Sequence, residues 1–177
     1  MTRNGDIWVF AYGSLMWRPD FPHIETAPAL LHGYHRSLCL YSIRYRGTRD
    51  LPGLVLGLDH GGACRGLAYR VASADSEAVQ GYLYEREMGH YAYRPKWLNI
   101  IVGRQRISAY TFIIRREQEQ YAGKLDDKTT IALIRQGHGE AGSSIDYLRY
   151  TLEHLGKLGI KDRTLERLLA NAYGNSG

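Results

Sequence analysis

The spacing of apolar residues changes once along this chain, and that change limits what it can fold into. Up to Ile114 the apolar residues come in short runs or rough alternation, punctuated by glycine-containing turns. From Asp127 onward they recur three and four residues apart: Ile145, Leu148, Leu152 and Leu155, then Leu165, Leu168, Leu169 and Ala172. Alternation suits a strand with one buried face, and the three-and-four pattern suits an amphipathic helix. Strands early and helices late, with one helix inserted among the strands, predict an α+β domain.

Residues 7–12 predict a strand, and the segment from Leu31 to about Tyr45 predicts one or two more. Leu54–Leu58 and Arg65–Val71 predict strands around a turn at His60-Gly61-Gly62. Trp97–Val102 and Ile107–Ile114 predict a pair joined near Gly103-Arg104. A helix is expected over Ser73–Met88, with Ser73 or Asp75 as its N-cap and Gly89 closing it. Three more helices are expected at about Asp127–Gln136, Ser144–Lys157 and Asp162–Ala172. No repeat, low-complexity tract or Pro/Ser-rich linker interrupts the 177 residues, so a single domain over 1–177 is expected.

Composition narrows the function class. No apolar run approaches the roughly 20 residues of a membrane span. The first residues hold one arginine and then Asp6, with a short apolar run and no A-x-A-like site, so neither a secretory signal nor a transit peptide is expected. Cys39 and Cys64 stand far apart and outside any C-x-x-C spacing, which argues against zinc or a disulfide framework and for a reducing cytoplasm. The seven histidines form no H-E-x-x-H pattern, and His32 and His35, at an odd offset in a strand, face opposite sides. The net charge of +5 has one dense patch, Arg44, Arg46 and Arg49 around Tyr45. A nucleic-acid contact, a solvated loop and a local field for a small anion are the three readings, and the absence of a nucleic-acid motif ranks the first last. Gly137-His138-Gly139-Glu140-Ala141-Gly142 matches G-x-G-x-x-G, but it follows a helical pattern instead of a strand. It reads as a helix–helix loop whose glycines supply backbone donors near a helix N-terminus.

Two short stretches carry candidate chemistry. In Val9-Phe10-Ala11-Tyr12-Gly13-Ser14-Leu15-Met16-Trp17 a Gly-Ser pair is embedded in apolar sequence where a surface turn is normally polar. Gly13 allows a positive φ or a close approach to a ligand, and successive N–H groups there can converge on an anion or on an oxygen that becomes negative. The other reading is a tight turn between core segments. Ser14 lacks the G-x-S-x-G elbow of a nucleophile. In the second stretch, residues 81–91, Val79, Tyr82 and Leu83 form an apolar arc with Glu87 at its edge, Arg86 near its centre and Glu85 pointing to solvent. A carboxylate at the rim of an apolar face has a raised pKa, which suits a general base or acid. A Glu–Arg surface pair is the alternative.

Taken in order, "WVFAYGSLMWRPDFP", "HGYHRSLCL", "RGTRDLPGLVLGL", "CRGLAYRV" and "YLYEREMGHY" resemble the ChaC-like family of γ-glutamylcyclotransferases, most specifically in Y-G-S-L followed downstream by Y-L-x-x-R-E. The resemblance implies a compact mixed β-barrel with surrounding helices and no cofactor. It implies that Glu87 is the catalytic acid/base and that Ala11, Tyr12, Gly13, Ser14 and Leu15 form a substrate-binding segment. A family motif of roughly Tyr-Leu-Gly-Pro is partly present as Tyr121-Ala122-Gly123-Lys124, which implies a substrate-binding role for Tyr121. Asp146-Tyr147-Leu148 is kept without the Asn that often precedes it.

The implied activity is glutathione-specific. The γ-glutamyl α-amine attacks its own γ-carbonyl, closing 5-oxoproline and releasing Cys-Gly, and the loop amides hold either the α-carboxylate or the developing oxyanion. The implied partner is a small γ-glutamyl molecule, with no nucleic acid, membrane or obligate protein partner. Alternatives are a cyclotransferase for other γ-glutamyl amino acids or amines, and a non-catalytic γ-glutamyl-binding module.

Overall fold

A computed structural model describes residues 5–88 and 91–174. The chain parts into two compact units, one of residues up to Ser37 with Leu58–Arg115, the other of Leu38–Gly57 with Arg116 onward. β2 (Glu25–Ser42) and β3 (Gly53–Val71) pass along the chain from one into the other.

The first unit is built on β1 (Ile7–Ala11), β2, β3, β4 (Tyr93–Val102) and β5 (Gln105–Ile114). They close a barrel in the order β1-β3-β2-β4-β5. β1 runs antiparallel to β3 and parallel to β5, so the barrel is mixed. Closure leaves no strand edge to manage. Trp8 and Phe10 of β1 pack with Leu31, Tyr34, Leu58, Ala68, Ile100, Ala109 and Ile113 in its core. Val9 and Ala11, on the opposite face of β1, are equally buried. Burial on both faces explains why β1 is an unbroken apolar run and not an alternating one.

Two strand expectations change. The segment after Leu31 is one strand that starts earlier, at Glu25, and ends at Ser42. No turn occurs at His60-Gly61-Gly62, because β3 runs straight through it. Gly61 (φ +100) and Gly62 (φ +68) bend the strand without reversing it, opposite His35, whose ring nitrogen Nδ1 lies 2.9 Å from the Gly61 carbonyl oxygen. Gly33 (φ +86) makes the matching irregularity in β2. Local irregularities of this kind coil long strands so that a barrel can close. The β4–β5 hairpin turns at Gly103-Arg104, as its sequence predicts.

α1 covers Ser76–Met88 and carries the buried Val79 and Leu83. It starts three residues later than expected, since residues 73–75 form a separate 3-10 turn. The Ser73 amide is already engaged, donating to Asp6 Oδ1 at 3.0 Å, and Asp6 in turn pairs with Arg70 at 2.7 Å. Gly89, the expected helix stop, lies outside the described residues.

The second unit holds α2 (Asp127–Gln136), α3 (Ser144–Lys157) and α4 (Arg163–Tyr173), each capped by a side chain: Asp126, Ser143 and Asp162 accept from the amides of Thr129, Asp146 and Leu165. Such caps are worth about 1 kcal/mol each. Leu148, Leu155, Leu165, Leu168 and Ala172 are buried as the spacing predicts, whereas Ile145, Leu152 and Leu169 are only half-buried. Between α2 and α3 the G-x-G-x-x-G stretch forms a small hairpin, β6 (His138–Gly139) and β7 (Gly142–Ser143). Its amides do not wait for an anion: Glu140 and Ala141 donate to the carbonyls of Arg44 and Tyr45, both at 2.9 Å. The arginine patch is structural in two of its three members. Arg44 pairs with Glu140 at 3.1 Å, and Arg46 lies over the Tyr147 ring and donates to the Ser143 carbonyl.

Candidate active site

β1 ends at Ala11, and the chain passes through Tyr12 and Gly13 into a 3-10 turn over Ser14–Met16. The turn's first internal bond runs from the Met16 amide to the Gly13 carbonyl at 2.9 Å. The amides of Ser14 and Leu15 precede that bond and take no part in the turn's own pairing. Leu15, Met16 and Phe21 are buried, while Tyr12, Gly13 and Ser14 are half-buried. The apolar neighbours thus anchor the turn and leave its Gly-Ser face reachable.

Gly13 does not use a positive φ: its φ is −133°. A Cβ added there would meet no protein atom within 4 Å. Packing within the protein therefore does not require glycine at this position, and the open space beside it is available to a ligand.

Side chains hold the carbonyls along this segment. Thr111 Oγ1 donates to Phe10 O at 2.9 Å, Arg36 Nε to Tyr12 O at 2.6 Å, and the Tyr69 hydroxyl lies 3.0 and 2.8 Å from Leu15 O and Met16 O. Each fixed carbonyl fixes the plane of its peptide, and with it the direction of the next N–H. Phe21 and His23 pack edge-on to the Tyr69 ring and keep it in place. Sequence reading missed Thr111, Arg36 and Tyr69. Their signal was weak: Thr111 and Tyr69 are polar-tipped residues inside apolar runs and Arg36 stands between His35 and Ser37, patterns shared with ordinary solvated strand positions.

The end of α1 faces this loop through Arg86. Its Nη1 donates to Arg18 O at 2.9 Å and to the Tyr82 hydroxyl at 3.0 Å, and its Nη2 reaches Ser14 Oγ at 3.4 Å. Asp20 lies 3.7 Å from the same guanidinium, and Glu87 Oε1 lies 4.0 Å from Nε. The arginine at the centre of the apolar arc is thus the tie between the helix and the loop, and it brings Glu87 and Ser14 to one cation. Glu85 is exposed, as expected.

The Glu87 side chain is only 20% exposed. Burial pushes its pKa above the ordinary glutamate range, and the Arg86 charge pulls partly against that. The folded protein then binds this proton more tightly than the unfolded chain, so stability falls as pH rises through the folded-state pKa. Below the unfolded value of about 4.3 both states carry the neutral acid and nothing is lost. Glu87→Gln removes this penalty. Urea denaturation is expected to find the variant more stable than wild type at pH 7, with the gap closing as pH falls toward 4. A gap that does not depend on pH would contradict the assignment of a raised pKa.

Tyr121 belongs to the second unit. There it bridges to Leu40, and its ring sits under the Arg116 guanidinium. Among the described residues no group of three His, Cys, Asp or Glu side chains is placed to hold a metal ion.

Comparison with known proteins bears on the whole arrangement. The family described as ChaC-like protein matches residues 7–173. The chain is 35% identical over 170 residues to the glutathione-specific γ-glutamylcyclotransferase of Escherichia coli K12, covering 95% of this chain and 73% of that one. It is 29% identical over 147 residues to human glutathione-specific γ-glutamylcyclotransferase 1, covering 80% of this chain and 66% of that one. The crystal structure of a γ-glutamyl cyclotransferase specific to glutathione from yeast superimposes with a TM-score of 0.84 at 21% identity, covering 97% of this chain and 100% of the other.

Proposed function

The chain belongs to the ChaC-like family, and on that footing we propose that it is a glutathione-specific γ-glutamylcyclotransferase with Glu87 as its acid/base. The observation that carries the reading is the Arg86 bridge, which joins the Glu87 end of α1 to Ser14 of the Tyr-Gly-Ser-Leu loop. The two stretches that resemble the family are contact neighbours although 72 residues separate Ser14 from Arg86.

The chemistry asks little of the protein beyond placement and one proton. The γ-glutamyl group carries both reactants, so folding it into an attack conformation supplies a large effective molarity. A free α-amine has a pKa near ~8 and is mostly protonated at neutral pH. Glu87 takes a proton from the ammonium, which frees the nitrogen lone pair to bond to the γ-carbonyl carbon, and delivers it to the departing nitrogen as the amide bond breaks. The attacking nitrogen sheds its second proton to solvent as it becomes the lactam N–H. 5-Oxoproline and Cys-Gly leave, with no water consumed. A glutamate of ordinary pKa is a weak base for this amine, and burial narrows the gap. In this reading Ala11, Tyr12, Gly13, Ser14, Leu15 and Tyr121 bind substrate, with the amides at Gly13–Leu15 holding a carboxylate or the developing oxyanion.

The reading makes residues 1–177 one functional domain, supported by a family match that runs across both units. It assigns the protein to the cytoplasm, in keeping with two buried cysteines, Cys39 and Cys64, that form no disulfide. It takes a small γ-glutamyl molecule as the sole partner and needs no cofactor, nucleic acid, membrane or obligate protein partner. No helix among the described residues is long and apolar enough to cross a bilayer.

The test is release of 5-oxoproline and Cys-Gly from glutathione, run beside a panel of γ-glutamyl amino acids and amines. Turnover of glutathione well above the panel is expected. No product from any member at millimolar concentration defeats the reading.

The loop adds a prediction. Gly13→Ala keeps its fold, because the new methyl meets no protein atom, yet raises KM about tenfold or more by occupying the space meant for substrate. Ser14→Ala costs less, since the amides and not the hydroxyl do the binding. Thermal melting and steady-state kinetics on both variants check this, and equal kinetic losses would count against it.

A further inference from the structure

Arg36 is the only buried arginine or lysine among the described residues, at 9% exposure. Two more exposed arginines of its unit do have acids beside them: Arg70 has Asp6 and Glu25, and Arg86 has Asp20 and Glu87. Arg36 has none among the described residues. Its contacts are the two backbone carbonyls of Tyr12 at 2.6 Å and Arg65 at 2.7 Å. Those bonds occupy two of the five guanidinium N–H donors and balance none of its charge. A buried, uncompensated cation is costly, and a protein that keeps one gains when a ligand supplies the counter-charge.

The position fits a ligand. Tyr34 lies in the barrel core with Trp8 and Phe10, and Tyr12 packs against that core. Arg36 is two residues beyond Tyr34 and so falls on the same face of β2, at the end where β1 delivers the loop. The guanidinium sits at the first peptide of Tyr-Gly-Ser-Leu, and the space beside Gly13 is open. A planar guanidinium is matched to a carboxylate.

We propose that Arg36 is a substrate-binding residue of this site, and that its counter-ion is the α-carboxylate of the γ-glutamyl group. The assignment rests on the cyclotransferase reading and deepens it. It separates the two duties left to the loop: the carboxylate goes to the guanidinium, and the amides of Ser14 and Leu15 are free for the γ-carbonyl oxygen.

The experiment compares three substrates: glutathione, its α-carboxamide and its glycine carboxamide. Wild type is expected to lose on the order of 10²-fold in kcat/KM on the α-carboxamide, and only a few-fold on the glycine carboxamide. Arg36→Met and Arg36→Gln both remove the charge, and Gln keeps a donor for the Tyr12 carbonyl. In whichever of them circular dichroism shows folded, the α-carboxamide penalty shrinks to a few-fold, because the interaction it reports is gone. A residue that merely clamps the loop would lower all three rates and leave their ratios alone. Equal wild-type rates on glutathione and its α-carboxamide overturn the proposal, as does a penalty on the glycine end instead, or one that survives loss of the charge. None of those results touches the cyclotransferase reading, which fails only if wild type makes no 5-oxoproline.

Discussion

Glu87→Gln releases 5-oxoproline from glutathione 10²- to 10⁴-fold more slowly than wild type, the usual span for a positioned general acid/base. The loss falls on kcat. Gln keeps the size of the side chain and its hydrogen-bonding reach, so the Arg86 bridge to Ser14 and Arg18 stays in place and substrate still binds. The same substitution is expected to stabilise the fold at neutral pH, because it takes a buried charge out of α1. Lower activity with higher stability is the signature of a group retained for chemistry. A variant that loses both would point to a structural ion pair, and one that retains turnover would exclude Glu87 as the base. Calorimetric binding of glutathione to the variant, alongside its product assay, separates these outcomes.

Gly137→Ala is expected to destabilise the protein by about 2–3 kcal/mol or more, although alanine is the smallest change available. A Cβ at Gly137 would run into the Gly53 Cα and the Arg46 carbonyl, and one at Gly53 into the Arg46 carbonyl and the Ser144 side chain. Backbone cannot swing aside as a flexible side chain can, so the strain spreads through the 44–53 loop, the β6–β7 hairpin and the start of α3. Gly156→Ala makes a control of opposite sign. Gly156 lies on the exposed face of α3, where a Cβ meets nothing within 4 Å, so alanine there stabilises by up to about 1 kcal/mol. Urea denaturation of the two variants tests the contrast. Similar small effects from both would mean that Gly137 is not packed against the loop.

Those glycines show where sequence reading reached and where it stopped. The helical spacing of Leu148, Leu155, Leu165 and Leu168 was legible because one face of each helix is buried and the other is wet. The glycine pattern at 137–142 was rightly set aside as a dinucleotide site, but its true use, a close approach to a loop some 90 residues earlier, leaves no local mark. Gly61 and Gly62 misled for a related reason. A positive φ serves a bend inside a long strand as well as it serves a reversal, and only pairing partners distinguish the two. At the site, Glu87 and the loop were legible as motifs, and Arg86 as an anomaly on the helix face. Arg36 was hidden, because the irregularity at Gly33 shifts the alternation of β2 and obscures which of its polar residues turn inward.

The central claim, that the substrate closes on itself under Glu87 without water, is tested most directly by turnover of glutathione in ¹⁸O-labelled water. Cyclisation predicts unlabelled 5-oxoproline in amounts equal to Cys-Gly. Labelled glutamate as the initial product would mean that water is the nucleophile and would contradict the account.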